Sequence, residues 1–144
     1  MFSLDRRPGL LDYLVGDAPL EDIIRTASHD GLSVIPCGTR RQQGPELLGS
    51  ASMSTLMSAV KSMFNVVIVD SPPLGAGIDP FVLGTATGHM LMVFRSGETD
   101  RAMAEAKLKL LDRLPVRVLG AVLNDIRTEG VYRYYSYLYG YSAE

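Results

Sequence analysis

The chain has 144 residues, 47% hydrophobic and 21% charged, with a net charge of −2. That length suits one domain with a real core rather than two, and the near-neutral charge leaves no electrostatic case for nucleic acid as a partner. A single cysteine, Cys37, excludes an internal disulfide and fits a reducing compartment.

In chain order, Met1 to Arg7 meets charge at once and lacks the apolar stretch of a signal peptide, so none is expected. No apolar run approaches the roughly 20 residues of a membrane helix. Two helical pieces are predicted over Leu10–Val15 and Leu20–Ser28. Leu32–Pro36 then reads as a buried strand ending near Cys37, which is expected to be a small buried apolar side chain. Arg40 and Arg41 read as a solvated loop pair. Pro45–Met63 carries Leu47, Leu48, Met53, Leu56, Met57 and Val60 at helical spacing, which predicts one long helix.

Val66–Val69, Met90–Phe94 and Val116–Leu123 join Leu32–Pro36 as strand candidates. All four are apolar without polar alternation, the pattern of a parallel sheet covered on both sides. Asp79–Ala86 and Asp100–Leu114 are the intervening helices. In the second, Glu105 and Lys109 are placed for an i,i+4 ion pair, and Gly97, Glu98 and Thr99 supply the opening chemistry. Strands alternating with helices predict an α/β fold: an open, mainly parallel sheet of at least four strands with helices on both faces. His29 and His89 have no metal-ligand spacing and read as surface residues.

The tail is the exception to this ordinary pattern. Six of the seven tyrosines are Tyr132, Tyr134, Tyr135, Tyr137, Tyr139 and Tyr141. They are too close together to share one buried face, and chain ends are commonly mobile. The organisation expected is an α/β domain over residues 1–130 and a flexible tyrosine tail over 131–144. The clustered phenols suit phosphorylation, each phosphate adding roughly 1.5 to 2 negative charges. A sticky interface segment is the competing reading.

One internal segment points to chemistry. Val66-Val67-Ile68-Val69 runs into Asp70, and Pro72 and Pro73 stop the strand. In open α/β sheets ligands bind beyond the carboxyl ends of the strands. A carboxylate there can hold a nucleotide's Mg2+, as in the Walker B arrangement; a strand-terminating Asp that caps a loop is the alternative. The matching phosphate cradle, Gly-x-x-x-x-Gly-Lys-Ser/Thr, is absent: Lys61, Lys107 and Lys109 are the only lysines and none follows a glycine.

Taken together, the segments resemble the cytoplasmic domain of the bacterial protein-tyrosine kinases of exopolysaccharide and capsule synthesis, of the MinD/ParA-like deviant P-loop class. Arg6-Arg7-Pro8-Gly9-Leu10 resembles the end of that family's Walker A′ segment. Gly31 to Gly38 resembles the next strand, and Pro45-Glu46-Leu47-Leu48-Gly49-Ser50 a helix opening. Asp70-Ser71-Pro72-Pro73 matches the Walker B ending, with Asp79 beyond it. Leu119 to Asn124 resembles the strand whose terminal Asn contacts adenine, and the tail matches the autophosphorylation cluster. The two acidic Walker A′ positions fall on Phe2 and Leu4, with Asp5 one residue out of register as their candidate substitute. Thr87 stands where a polar residue, often Asp, precedes the third strand.

The resemblance implies a P-loop NTPase-like domain, incomplete at its N-terminus and lacking Walker A, that uses ATP and Mg2+ to phosphorylate the tail tyrosines. Asp70 and Asp5 are the candidate catalytic residues, Asp70 the Mg2+ ligand, Asn124 the adenine contact, and the six tyrosines the acceptors. Implied partners are a membrane-embedded polysaccharide co-polymerase or adaptor segment, neighbouring kinase subunits and a tyrosine phosphatase. The implied location is cytoplasmic, at the inner face of the bacterial membrane. Two alternatives stay open: an inactive phosphoacceptor or regulatory partner of a complete kinase, and a MinD/ParA-like ATPase remnant.

Overall fold

The computed structural model describes residues 5–41 and 44–126. Five helices build the core. α1 (Leu10–Leu14) and α2 (Leu20–Ile23) come first, followed by an antiparallel pair, β1 (Arg25–Thr26) and β2 (Ser33–Val34). α3 (Gly44–Leu48), α4 (Ala51–Met63) and α5 (Asp79–Thr87) follow. β3 (His89–Arg95), α6 (Arg101–Leu111) and β4 (Arg117–Asn124) close the described order. β3 and β4 pair in parallel, so α6 is a βαβ crossover. No helix among the described residues is long and apolar enough to cross a membrane.

The α/β class is as the sequence implies, but several elements differ in extent. Leu20–Ser28 is not one helix: it ends at Ile23, and Arg25–Thr26 turns into a strand. Pro45–Met63 divides into α3 and α4. Gly49 and Ser50 interrupt it because the Ser50 side chain accepts the Met53 N–H and caps a new helix. The strand expected over Leu32–Pro36 shortens to Ser33–Val34. Cys37 is exposed rather than buried; its carbonyl is taken by Leu11 N–H. On α6, Glu105 pairs with Arg101 one turn earlier instead of with Lys109. The α6 cap is Asp100, which accepts Met103 N–H at 2.7 Å.

α4 is the centre of the packing. Met53, Leu56, Met57 and Val60 recur at helical spacing and are all buried, against Leu14, Ile23, Leu48 and Leu83 from α1, α2, α3 and α5. Ile23 and Met53 are among the largest fully enclosed side chains. Both methionines of α4 are therefore core residues, as their spacing implies.

Val66–Val69 departs most from expectation. The run is extended, but no backbone hydrogen bond joins it to another strand among the described residues. Its side chains nonetheless alternate as in a strand. Val67 and Val69 pack on the helical core, whereas Val66 is 75% and Ile68 88% exposed. β3 repeats the pattern, with Met92 buried and Leu91 and Val93 open. Across the ladder, β4 bulges beside Met90/Leu91, where Gly120 takes a φ of +156° that disfavours any side chain.

This packing predicts a steep contrast along one helix. Leu56→Ala lowers unfolding free energy by about 2–5 kcal/mol, the usual range for an enclosed aliphatic truncation. Met63→Ala, at a residue 56% exposed, shifts it by only about 0.5 kcal/mol. Urea denaturation followed by circular dichroism measures both; equal losses would show that α4 does not seat the core.

Candidate functional site

The entrance to α1 is built around one carboxylate. Asp12, the third residue of the helix, is 6% exposed. Its Oδ2 accepts Gly9 N–H at 2.9 Å, the returning half of a capping box. The same carboxylate accepts Thr39 N–H at 3.2 and 3.3 Å, twenty-seven positions away in sequence. Arg41 lies 4.0 Å off and also pairs with Asp17. The Thr39 side chain does most to hold the Asp12 carboxyl below its ordinary value; burial opposes it, and the Gly9 and Thr39 N–H groups and the Arg41 charge add to the lowering.

The two chain segments joined in this way touch backbone to backbone. Leu10 N–H donates to Pro36 O at 2.8 Å and Leu11 N–H to Cys37 O at 3.1 Å. A Cβ on Gly9 would lie 2.3 Å from Pro36 O and 2.4 Å from Gly38 N, so only glycine fits. On the other side, an Arg25 guanidinium nitrogen donates to Arg7 O at 2.9 Å and, more weakly, to Pro8 O at 3.4 Å. The Arg6-Arg7-Pro8-Gly9 segment is thus fixed from both flanks. Asp5, just before it, is exposed.

Asp70 follows the extended run and is exposed. No hydrogen bond or ion pair engages its carboxylate among the described residues. Asn124 is the last residue of β4. Its carbonyl accepts Ser96 N–H at 2.9 Å, which ties the carboxyl ends of β3 and β4 together. Asp125 follows with a φ of +56°, a left-handed conformation that aspartate tolerates better than most residues. Its carboxylate accepts Arg95 Nε–H at 2.8 Å, and the Thr99 hydroxyl accepts Arg95 N–H at 2.8 Å.

Asp70 and Asn124 therefore both lie at carboxyl ends of extended segments, where this class of sheet binds ligands. No bond links Asp5, Asp70 and Asn124 to one another, and no cluster of three metal-ligating side chains occurs among the described residues. The six tail tyrosines lie outside the described residues. Sequence reasoning missed Asp12, Arg25, Thr39, Arg95 and Asp125. Asp12 had a legible signal, an acid three residues after the glycine that precedes a helix. The others depend on long-range pairing and had none.

The chain has the α/β architecture of P-loop NTPase-like domains. It overlays the kinase domain of the Escherichia coli tyrosine kinase ETK with a TM-score of 0.84, at 29% identity, covering 90% of this chain and 51% of that one. Tyrosine-protein kinase ptk of Acinetobacter johnsonii is 36% identical over 126 residues, 88% of this chain and 17% of that protein. Tyrosine-protein kinase CpsD of Streptococcus agalactiae is 30% identical over 129 residues, 90% of this chain and 56% of that protein. No protein-family model matches. The chain belongs to the bacterial tyrosine kinases. It spans 17% to 56% of the length of these two curated relatives.

Asp12 gives a signed pH prediction. Its folded-state pKa is lowered from an ordinary value of 3.8. The clamp's contribution is therefore complete above that value and is lost as pH falls through the lower folded-state one. Asp12→Asn costs about 1–3 kcal/mol at neutral pH, and the gap to the wild type closes on acidification below about pH 4. Urea titrations across a pH series read this directly; a gap independent of pH would refute the ionic clamp.

Proposed function

We propose that this chain is part of a tyrosine autokinase domain that moves phosphate from ATP-Mg2+ to the C-terminal tyrosines and so regulates exopolysaccharide or capsule synthesis. The observation that carries the reading is Asp70: a carboxylate with no partner among the described residues, beyond the carboxyl end of an apolar extended run and followed by Pro72 and Pro73. The donor chemistry fits. Mg2+ in phosphoryl-transfer sites takes one or two carboxylates plus substrate phosphates, and needs no cage of protein ligands. Asp70 can serve as one such ligand. Bound Mg2+ supplies charge neutralisation on the phosphates.

In this reading Asn124 contacts adenine, its strand end held by the Ser96 hydrogen bond and the neighbouring Arg95–Asp125 pair. A phenol oxygen of Tyr132, Tyr134, Tyr135, Tyr137, Tyr139 or Tyr141 attacks the γ-phosphorus. The new O–P bond forms as the bond to ADP breaks, and the phenol proton passes to a nearby carboxylate, Asp70 or Asp5. The acceptor is held by a neighbouring kinase subunit. The domain works in the cytoplasm at the inner membrane face, attached to a membrane-embedded polysaccharide co-polymerase, and a tyrosine phosphatase resets it. The chain divides into this domain, 1–130, and the acceptor tail, 131–144.

A second reading is supported by the lysines. None of Lys61, Lys107 and Lys109 sits in a Gly-Lys-Ser/Thr loop, so the chain can also be the acceptor partner of a complete kinase. Intact-mass measurement after incubation with ATP-Mg2+ separates the two. The autokinase reading expects phosphates on the purified chain alone, with Asp70→Asn slowing incorporation by about 100-fold or more. The acceptor reading expects phosphates only when the ETK kinase domain is added, with no effect of Asp70→Asn. Replacing all six tail tyrosines by Phe removes the signal in either case; persistence of phosphate in that variant would defeat both.

A further inference from the structure

Two opposite charges flank Asn124, and each is tied to the other. Arg95 is the register partner of Asn124 across the parallel ladder, so their side chains share one face. Asp125 follows Asn124, and its left-handed backbone, φ +56°, returns its carboxylate to Arg95. Arg95 Nε–H donates to Asp125 Oδ2 at 2.8 Å. Thr99 grips the Arg95 backbone at both polar groups: its hydroxyl accepts the Arg95 N–H at 2.8 Å, and its own N–H donates to the Arg95 carbonyl at 3.0 Å.

Stability does not account for this arrangement. The two side chains are 62% and 51% exposed, and an ion pair that open is worth little. Arg101–Glu105 is the ordinary surface kind, one helical turn apart. Arg95 and Asp125 are thirty positions apart and meet only where β3 and β4 end together. Neighbouring strands lie about 4.8 Å apart and successive Cα atoms about 3.8 Å. A base that reaches the Asn124 side chain therefore comes within reach of both charges.

Each charge alone favours guanine. A free arginine donates two hydrogen bonds to guanine N7 and O6. A free carboxylate accepts from guanine N1–H and its 2-amino group, donors that adenine lacks. A side-chain amide such as that of Asn124 suits adenine, donating to N7 and accepting from the 6-amino group. Paired, Arg95 and Asp125 neutralise each other and leave the amide as the reader. We propose that the Arg95–Asp125 pair is a specificity element: it masks two guanine-reading charges beside Asn124 and so sets a preference for adenine nucleotides. The inference rests on the proposed adenine contact of Asn124, and holds whether or not the tail tyrosines accept phosphate.

The test titrates the isotopically labelled full chain with ATP-Mg2+ and with GTP-Mg2+, following the amide signals of Ser96, Asn124 and Asp125. The wild type is expected to bind ATP at least about 10-fold more tightly than GTP. Arg95→Ala unmasks the carboxylate; Asp125→Gly unmasks the guanidinium and keeps the left-handed turn. Each is expected to erase the preference by tightening GTP binding, with an unchanged urea midpoint. The double variant, Arg95→Ala with Asp125→Gly, removes both guanine readers and is expected to restore the preference for ATP. Arg101→Ala, which breaks the exposed pair on α6, is expected to keep the wild-type ratio. An unchanged ratio in both single variants overturns the proposal, as does the same loss of preference with Arg101→Ala. So does a double variant no better than the singles, which is what a merely structural pair gives, and so does a wild type that binds neither nucleotide. The readout is base preference, not phosphate. ATP preference without phosphate incorporation removes the autokinase reading alone, and incorporation without base preference removes this inference alone.

Discussion

The described part of the molecule depends on the Asp12 carboxylate. Burying a charge is costly unless hydrogen bonds and opposite charge replace its water. Asp12 meets that condition with Gly9 N–H, Thr39 N–H and the nearby Arg41 guanidinium. Those bonds carry more than local helix capping, since they hold the residues before α1 against the loop that follows β2. Without them, two backbones that approach closely enough to require Gly9 would have only two direct hydrogen bonds between them. The rigid base on which α1 reaches α3 and α4 is therefore electrostatic at its entrance and apolar at its centre.

That division of labour explains what the sequence made legible. The stripe of Met53, Leu56, Met57 and Val60 announces a buried helix face, because helix periodicity is local and survives in any context. Its neighbours in space do not announce themselves. Gly49-Ser50 interrupts the long apolar pattern through a cap whose acceptor is a single hydroxyl. Asp12 has a partner in Thr39, twenty-seven positions away, and Arg25 reaches back to Arg7 O. Such pairings are set by tertiary structure. The exposed Cys37 fails the apolar expectation for the same reason: the backbone there is committed to α1, and the side chain is left outside.

At the candidate site, Asp70 and Asn124 were legible because both end apolar runs, and the end of a strand is where a residue's neighbours change from core to ligand. Arg95 and Asp125 were not. Each looks like an ordinary surface charge, and only the parallel register of β3 on β4 brings them together. An exposed pair of this kind adds little to stability. Its position directly after Asn124 gives it a geometric role, since Asp125 holds a left-handed backbone that turns the chain sharply at the strand end.

Val66–Val69 shows how a correct sequence pattern can describe an incomplete environment. An apolar run without alternation means that both faces are to be covered and both edges paired. Here one face is covered by the helical core, the other is open, and no ladder forms among the described residues. Side-chain alternation persists because the extended backbone imposes it regardless of pairing. The residues thus encode a central strand, and their surroundings provide half of one. The carboxylate at its end inherits that condition. In the proposed reading Asp70 holds a nucleotide's metal, but a strand with an open face fixes its terminal side chain less firmly than a strand packed on both sides. Positioning a catalytic group needs a rigid support. The same unpaired edge that leaves the sheet incomplete therefore also limits how well Asp70 can be aimed.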